Sequence, residues 1–216
     1  MPAATLGRTL PRTAAPAALE QRLIDAALRC VGRWGVGKTT VDDMAREAGC
    51  SRATLYRVFP GGKEALMRAA VRREVDDLVA AVDRRMAGAT GLEDALTGAV
   101  GVAGSTVASH PVLQFVLSFE PETILPHLAF AGMDRALSVV SVTAAPLLAR
   151  WIPAAEAPRC AEWLCRVVVS YLVCPSPEVD FSDEQSVRTL VRRFVIPVLN
   201  ASIEPPEDPW TPPTAN

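Results

Sequence analysis

Half of the 216 residues are hydrophobic and the formal net charge is only −2, which excludes wholesale disorder and allows a substantial core in one large or two modest domains. The charge is unevenly spread: residues 1–86 hold 15 Lys/Arg against 10 Asp/Glu, a balance of +5, and residues 87–216 hold 7 against 14, a balance of −7. A basic N-terminal part ahead of an acidic remainder suits phosphate binding at one end only.

Residues 1–16 are rich in Ala, Pro and Thr, carry Arg8 and Arg12, and read as a disordered arm. Such an arm can reach into a minor groove, although a tail without a role fits equally well. A first helix is expected over 17–34, with Leu19, Leu23, Ala26, Ala27, Val31 and Trp34 facing inward and Gly35 and Gly37 ending it. The stretch from Thr39 to Leu66 then organises the chain. Thr40 is an N-cap and Asp43 completes a capping box, while Val41, Met44, Ala45 and Ala48 follow the spacing of one buried helical face. Gly49 suits a left-handed helix end, Ser51 caps a second helix, and Leu55, Val58 and Phe59 form its inward side before Pro60-Gly61-Gly62 stops it.

Two capped helices joined by a glycine-containing turn make a helix-turn-helix, whose second helix enters the major groove with its N-terminal residues first. With Leu55 turned inward, that helix offers Arg52, Ala53, Thr54 and Tyr56 to bases, with Ser51 and Arg57 beside them for phosphates. Thr40 and Lys63 each stand at a helix start, where backbone N–H groups favour an anion. An ordinary helical hairpin with a solvated charged face is the alternative.

From Thr39 to Leu66 the chain resembles the DNA-binding domain of TetR-family transcriptional regulators. Thr39-Thr40-Val41, Met44-Ala45, Ala48-Gly49, Ser51, Thr54-Leu55-Tyr56, Phe59, Lys63 and Leu66 carry the likeness. It implies an all-α protein with a three-helix DNA-reading head, a larger helical ligand-binding body and a homodimer. It also puts Thr40, Tyr56 and Lys63 on phosphates. Many members have His or Tyr where this chain has Val58, which cannot donate a hydrogen bond, so that backbone contact is expected to be missing or moved.

The implied organisation is an arm over 1–16, the head over 17–62, a regulatory and dimerisation domain over 63–203, and a Pro-rich acidic tail over 204–216. A helix over 63–86 connects head and body and is long enough, about 36 Å at 1.5 Å per residue, to act as a lever. Residues 92–109 form the next helix, in which Gly98, Gly101 and Gly104 imply either close packing or room for a ligand. Short helices open at Pro111 and Pro121, and a long apolar one over 134–151 should kink at Pro146. Ala95 to Phe119 lacks Asp, Glu, Lys and Arg but is too polar for hydrocarbon, so it reads as buried helix and not as a membrane span. This middle section is the expected site for a hydrophobic or amphipathic effector, lined by His110, Phe115, Phe119, Phe130 and Trp151, with Gln114, His127 and Arg135 as further polar groups.

The last two helices are expected over 156–174 and 183–200, the second capped by Ser182 with Gln185. Their apolar stripes, including Trp163, Val167, Tyr171, Leu190, Val191 and Phe194, are too wide for one neighbour and suit an intermolecular four-helix bundle. Cys30, Cys50, Cys160, Cys165 and Cys174 form no CxxC pair, so no structural zinc is expected, and an odd count without a signal peptide fits a reducing cytoplasm. A thiol switch in the 160/165/174 group is the less common alternative to buried packing. No catalytic constellation, cofactor motif or metal-spaced cluster is present in the sequence. The reading is a ligand-responsive regulator, most simply a repressor released from a palindromic operator. The competing reading is a helical carrier of an apolar ligand, which would need no basic head.

Overall fold

The computed structural model describes residues 14–122 and 131–203, and every regular element among them is helical. The chain divides into two compact units, Met1–Glu74 and Val75–Asn216.

The first unit contains α1 (Ala14–Lys38), α2 (Val41–Glu47), α3 (Arg52–Val58) and the first turns of α4 (Gly62–Ala87). Its core is built from Leu23, Ala27, Cys30, Met44, Leu55, Phe59 and Leu66, so the inward faces expected for the first three helices form, with one exception at the end of α1. Gly35, with φ 83, breaks α1 where the sequence ends it. The Thr39 hydroxyl donates to the Gly35 carbonyl at 2.6 Å and secures that break. Trp34 departs from expectation: it is 42% exposed. Its helical spacing is right, but it lies one turn past Val31, beside the break, and overhangs the core instead of entering it.

The second unit holds the rest of α4, then α5 (Leu92–Ser109), α6 (Pro111–Phe119), α7 (Ala131–Leu148), α8 (Ala157–Val173), α9 (Glu184–Leu190), a π-helical segment (Val191–Val195) and α10 (Ile196–Ile203). Met86, Leu96, Val100, Leu148, Leu164, Val187 and Val191 are central to its core. Side chains fill the space over the α5 glycines. A Cβ at Gly98 would stand 2.6 Å from Cγ of Arg85, one at Gly104 would collide with the ring of Phe181, and one at Gly101 would meet Val187 at 3.9 Å. Close packing is therefore the answer at Gly98 and Gly104.

Around the start of α5 a charge network ties four elements, α4, α5, α9 and the π-helical segment. Asp94 takes Arg85 at 2.9 Å, Glu93 takes Arg192 at 2.8 Å, and Arg188 lies within 3.8 Å of Glu93, Asp94 and Glu184. The helix that carries Pro146 ends at Leu148, before the expected 151. The N-cap of α9 is Asp183, whose carboxylate accepts from the Gln185 and Ser186 N–H groups at 3.1 Å; Ser182 instead donates to Asp180. Asp183 wins because its two oxygens serve two N–H groups at once. The helix expected to open at Pro121 runs into residues outside those described. No single described helix is long and apolar enough to cross a membrane; α5 and α6 reach that composition only together, bent by 63°.

Candidate nucleic-acid interface

Two short helices and the turn between them fix the site. Thr40 caps α2 by accepting from the Asp43 N–H, and Asp43 accepts in return from the Thr40 N–H at 3.1 Å and its hydroxyl at 2.6 Å. The Thr40 hydroxyl, and then its N–H, hold the Asp43 carboxyl below the ordinary carboxylate range. Gly49 supplies the turn with φ 66, where an L side chain is strained, and the Arg22 guanidinium donates to the adjoining Ala48 carbonyl. Ser51 then caps α3 by accepting from the Thr54 N–H at 3.1 Å. Leu55, fully buried, pins α3 to the head.

That anchoring leaves one face outward. Arg52, Ala53, Tyr56 and Arg57 are exposed and Thr54 is half-buried. Arg52 is not loose on this face: its guanidinium carbon stands 5.6 Å from the centre of the Tyr56 ring, and its Nη1 donates to Oδ2 of Asp42 at 3.4 Å. Tyr56 in turn lies against Gly62, where a Cβ would come within 2.9 Å of the ring; with φ 60 as well, Gly62 is doubly required. The Ser51 and Thr54 hydroxyls are 2.9 Å apart. Lys63 is half-buried, and its ammonium donates to the Val36 carbonyl at 2.6 Å, closing the end of α1. Val58 packs against the head core.

Residues 23–70 match the sequence profile of the bacterial regulatory proteins of the tetR family. Over 180 residues, 82% of this chain and 84% of the other, the protein is 28% identical to an uncharacterized HTH-type transcriptional regulator of Mycobacterium tuberculosis. Its fold is similar to that of the TetR family repressor AlkX from Dietzia sp., implicated in biodegradation of n-alkanes (TM-score 0.61, 22% identity, 92% of this chain and 100% of that one). It is also similar to the fatty acid degradation regulator FadR from Bacillus halodurans (TM-score 0.60, 17% identity, 86% and 96%). The helix-turn-helix head is a TetR-family DNA-binding domain.

The protein is therefore a DNA-binding transcriptional regulator, and the α2–turn–α3 unit lies within the residues, 23–70, that match the family profile. Three features of the face had no signal in the sequence. Asp42 meets Arg52 across the turn, Gly62 meets Tyr56, and Arg29 and Arg33 both reach Glu47. Each joins residues on different elements, with no periodicity to announce it.

The effector residues are less gathered. His110 caps α6, its Nδ1 accepting from the Leu113 N–H at 3.2 Å, and Gln114 donates to the Val107 carbonyl. Phe115 and Phe119 pack with ring centres 5.0 Å apart, but Phe119 is 70% exposed. Trp151 is half-buried with its indole N–H enclosed and unpartnered among the described residues, as is the hydroxyl of Thr97. His127, Phe130 and the side chain of Arg135 lie outside the described residues. The larger surface cleft, about 460 Å³, lies between α7 and α8 and is lined by Leu137, Ser138, Ser141, Val142, Glu162 and Arg166. A smaller one, about 230 Å³, is lined by Gln185, Arg188, Thr189, Arg192 and Arg193. None of the expected pocket residues lines either cleft.

The residues expected at the dimer interface split into two sets. Trp163 and Phe194 are exposed, joined by Val198, while Val167 and Tyr171 are half-buried. Leu190 and Val191 turn into the protomer's own core and present nothing to a partner. The π-helical turn, closed by the Ile196 N–H on the Val191 carbonyl, keeps Val191 and Val195 inside while Phe194 stands out. Burial pushes the Cys160 thiol up to about 11 and raises Cys165 too, which disfavours the thiolate at both.

Proposed function

We propose that this regulator is a homodimeric repressor that holds a palindromic operator through the outward face of α3 and lets go when a hydrophobic or amphipathic small molecule binds its second unit. The observation that carries the reading is the α3 face itself: Arg52, Ala53, Tyr56 and Arg57 stand outward from a helix pinned by one buried leucine. In this reading Arg52, Ala53, Thr54 and Tyr56 meet bases, and Thr40, Ser51, Tyr56, Arg57 and Lys63 meet phosphates. Exposed Trp163, Phe194 and Val198 on the last helices supply the apolar face that a second copy covers. The charge-free run from Ala95 to Phe119 and the unpartnered indole N–H of Trp151 favour a largely apolar ligand with one polar group.

Release works only if the ligand prefers one dimer geometry. Two recognition helices must sit about 34–36 Å apart to enter successive major grooves, and α4, whose residues belong to both units, is the element whose displacement would change that spacing. A coupling of about 1–3 kcal/mol weakens operator binding roughly 5–150-fold, and the same factor must weaken ligand binding when operator is present. A thermal-shift screen of acyl chains, sterols, acyl-coenzyme A species and drugs finds the ligand. Calorimetry of that compound with and without operator DNA is the test. Unequal affinities are expected; equal ones overturn the switch.

A further inference from the structure

We infer that Asp42 is a positioning residue for sequence discrimination: it holds the Arg52 guanidinium in place from the neighbouring helix before DNA arrives. The inference rests on the reading of Arg52 as a base contact.

Asp42 stands in the first turn of α2 but does not cap it, since Thr40 and Asp43 satisfy that helix start between them. Its carboxylate is largely exposed, at 57%, and lies on the same surface as the outward face of α3. There it costs affinity for any polyanion, because a negative charge opposes phosphates of every sequence. A stabilising role is also weak, because an exposed ion pair contributes little to folding. What Asp42 does hold is Arg52, 60% exposed, with Nη1 3.4 Å from Oδ2. On its other side the guanidinium lies over the Tyr56 ring.

Two contacts on one long side chain restrict its rotamers before binding, so less freedom is lost when it meets a base. Asp42 engages one nitrogen of a group with five N–H donors, which leaves others for the O6 and N7 atoms of a guanine. The carboxylate therefore trades general affinity for selectivity.

The test uses the full-length protein, an operator selected from random duplex DNA by the wild type, and a scrambled duplex of equal composition. Dissociation constants are measured for wild type, Asp42→Asn, Arg52→Ala and the double variant. Asparagine keeps the shape and removes the charge, and the Thr40–Asp43 cap is untouched. Asp42→Asn should bind the scrambled duplex two- to tenfold more tightly, with its specificity ratio lowered about tenfold. In the Arg52→Ala background the same change should leave the ratio unaltered. The inference is overturned if Asp42→Asn keeps the wild-type ratio, or lowers it equally with and without Arg52. A wild type with no preference for any duplex would instead sink the proposed function.

Discussion

Replacing Gly104 by alanine should destabilise the protein, although alanine is the better helix former. The substitution places a Cβ 2.9 Å from that of Phe181 and closer still to its ring, nearer than real contacts allow. Phe181 is half-buried in the connection between α8 and α9, so the ring can be driven out. Expulsion forfeits its partial burial and its edge-on packing against Tyr171, whose ring centre is 5.7 Å away. Those losses together come to about 2–3 kcal/mol. Alanine in a helix interior recovers about 1 kcal/mol. The net loss is roughly 1–2 kcal/mol, or about 3–6 °C in the midpoint for a chain of this size. Gly101 is the control, three residues along the same helix, because its added Cβ meets Val187 only at 3.9 Å. Gly101→Ala should therefore raise the midpoint by about 2–4 °C. Scanning calorimetry on both variants reads the difference in sign. Adding Gly104→Ala to Phe181→Ala should then stabilise, since the obstacle is gone, and this non-additivity isolates the contact. If Gly104→Ala melts at or above Gly101→Ala, the packing argument for the α5 glycines is wrong.

Phe194 is 54% exposed in the protomer, so Phe194→Asp should leave each protomer folded while costing the proposed dimer interface several kcal/mol; sedimentation at micromolar concentration should show monomer, and an unchanged dimer would refute the interface. Val191→Asp differs in kind, because Val191 is fully buried, and should unfold the protomer, visible as lost helical circular dichroism. The Glu93 carboxyl is held below its ordinary range first by Arg192, and that of Asp94 first by Arg85. A depressed folded value contributes stability above the ordinary carboxylate range and loses it as pH falls through the folded value. Urea midpoints should drop between neutral pH and about pH 3, less steeply in Glu93→Gln; parallel acid arms would contradict the network.

The DNA-binding head was legible because its signals are local. Thr40 with Asp43, Ser51, Gly49 and the spacing of Met44, Ala45, Ala48 and Leu55 each act within a few residues, and each does in the structure what the sequence requires. What was not legible depends on distant neighbours. Trp34 has the right period but lies beyond the end of the core. Val191 lies on an apolar stripe that the sequence cannot assign to its own protomer or to a partner, and the π-helical turn settles it inward. Phe181 over Gly104, Lys63 on the Val36 carbonyl and Asp42 on Arg52 are pairings across loops or between helices. The effector site is the least legible, because an apolar pocket shares its residue types with an ordinary core.

If the outward face of α3 reads DNA sequence, selection from a random duplex pool will reveal a preferred site. Wild type should enrich a palindrome with half-site centres about 10–10.5 base pairs apart or a multiple of that spacing. Arg52→Ala should bind it with a loss of about 1–3 kcal/mol and relaxed preference at one base position in each half-site. Lys63→Ala should weaken all sequences alike and flatten the salt dependence. Failure to enrich any sequence, or an Arg52→Ala variant with unchanged affinity and selectivity, would show that the α3 face does not read DNA sequence.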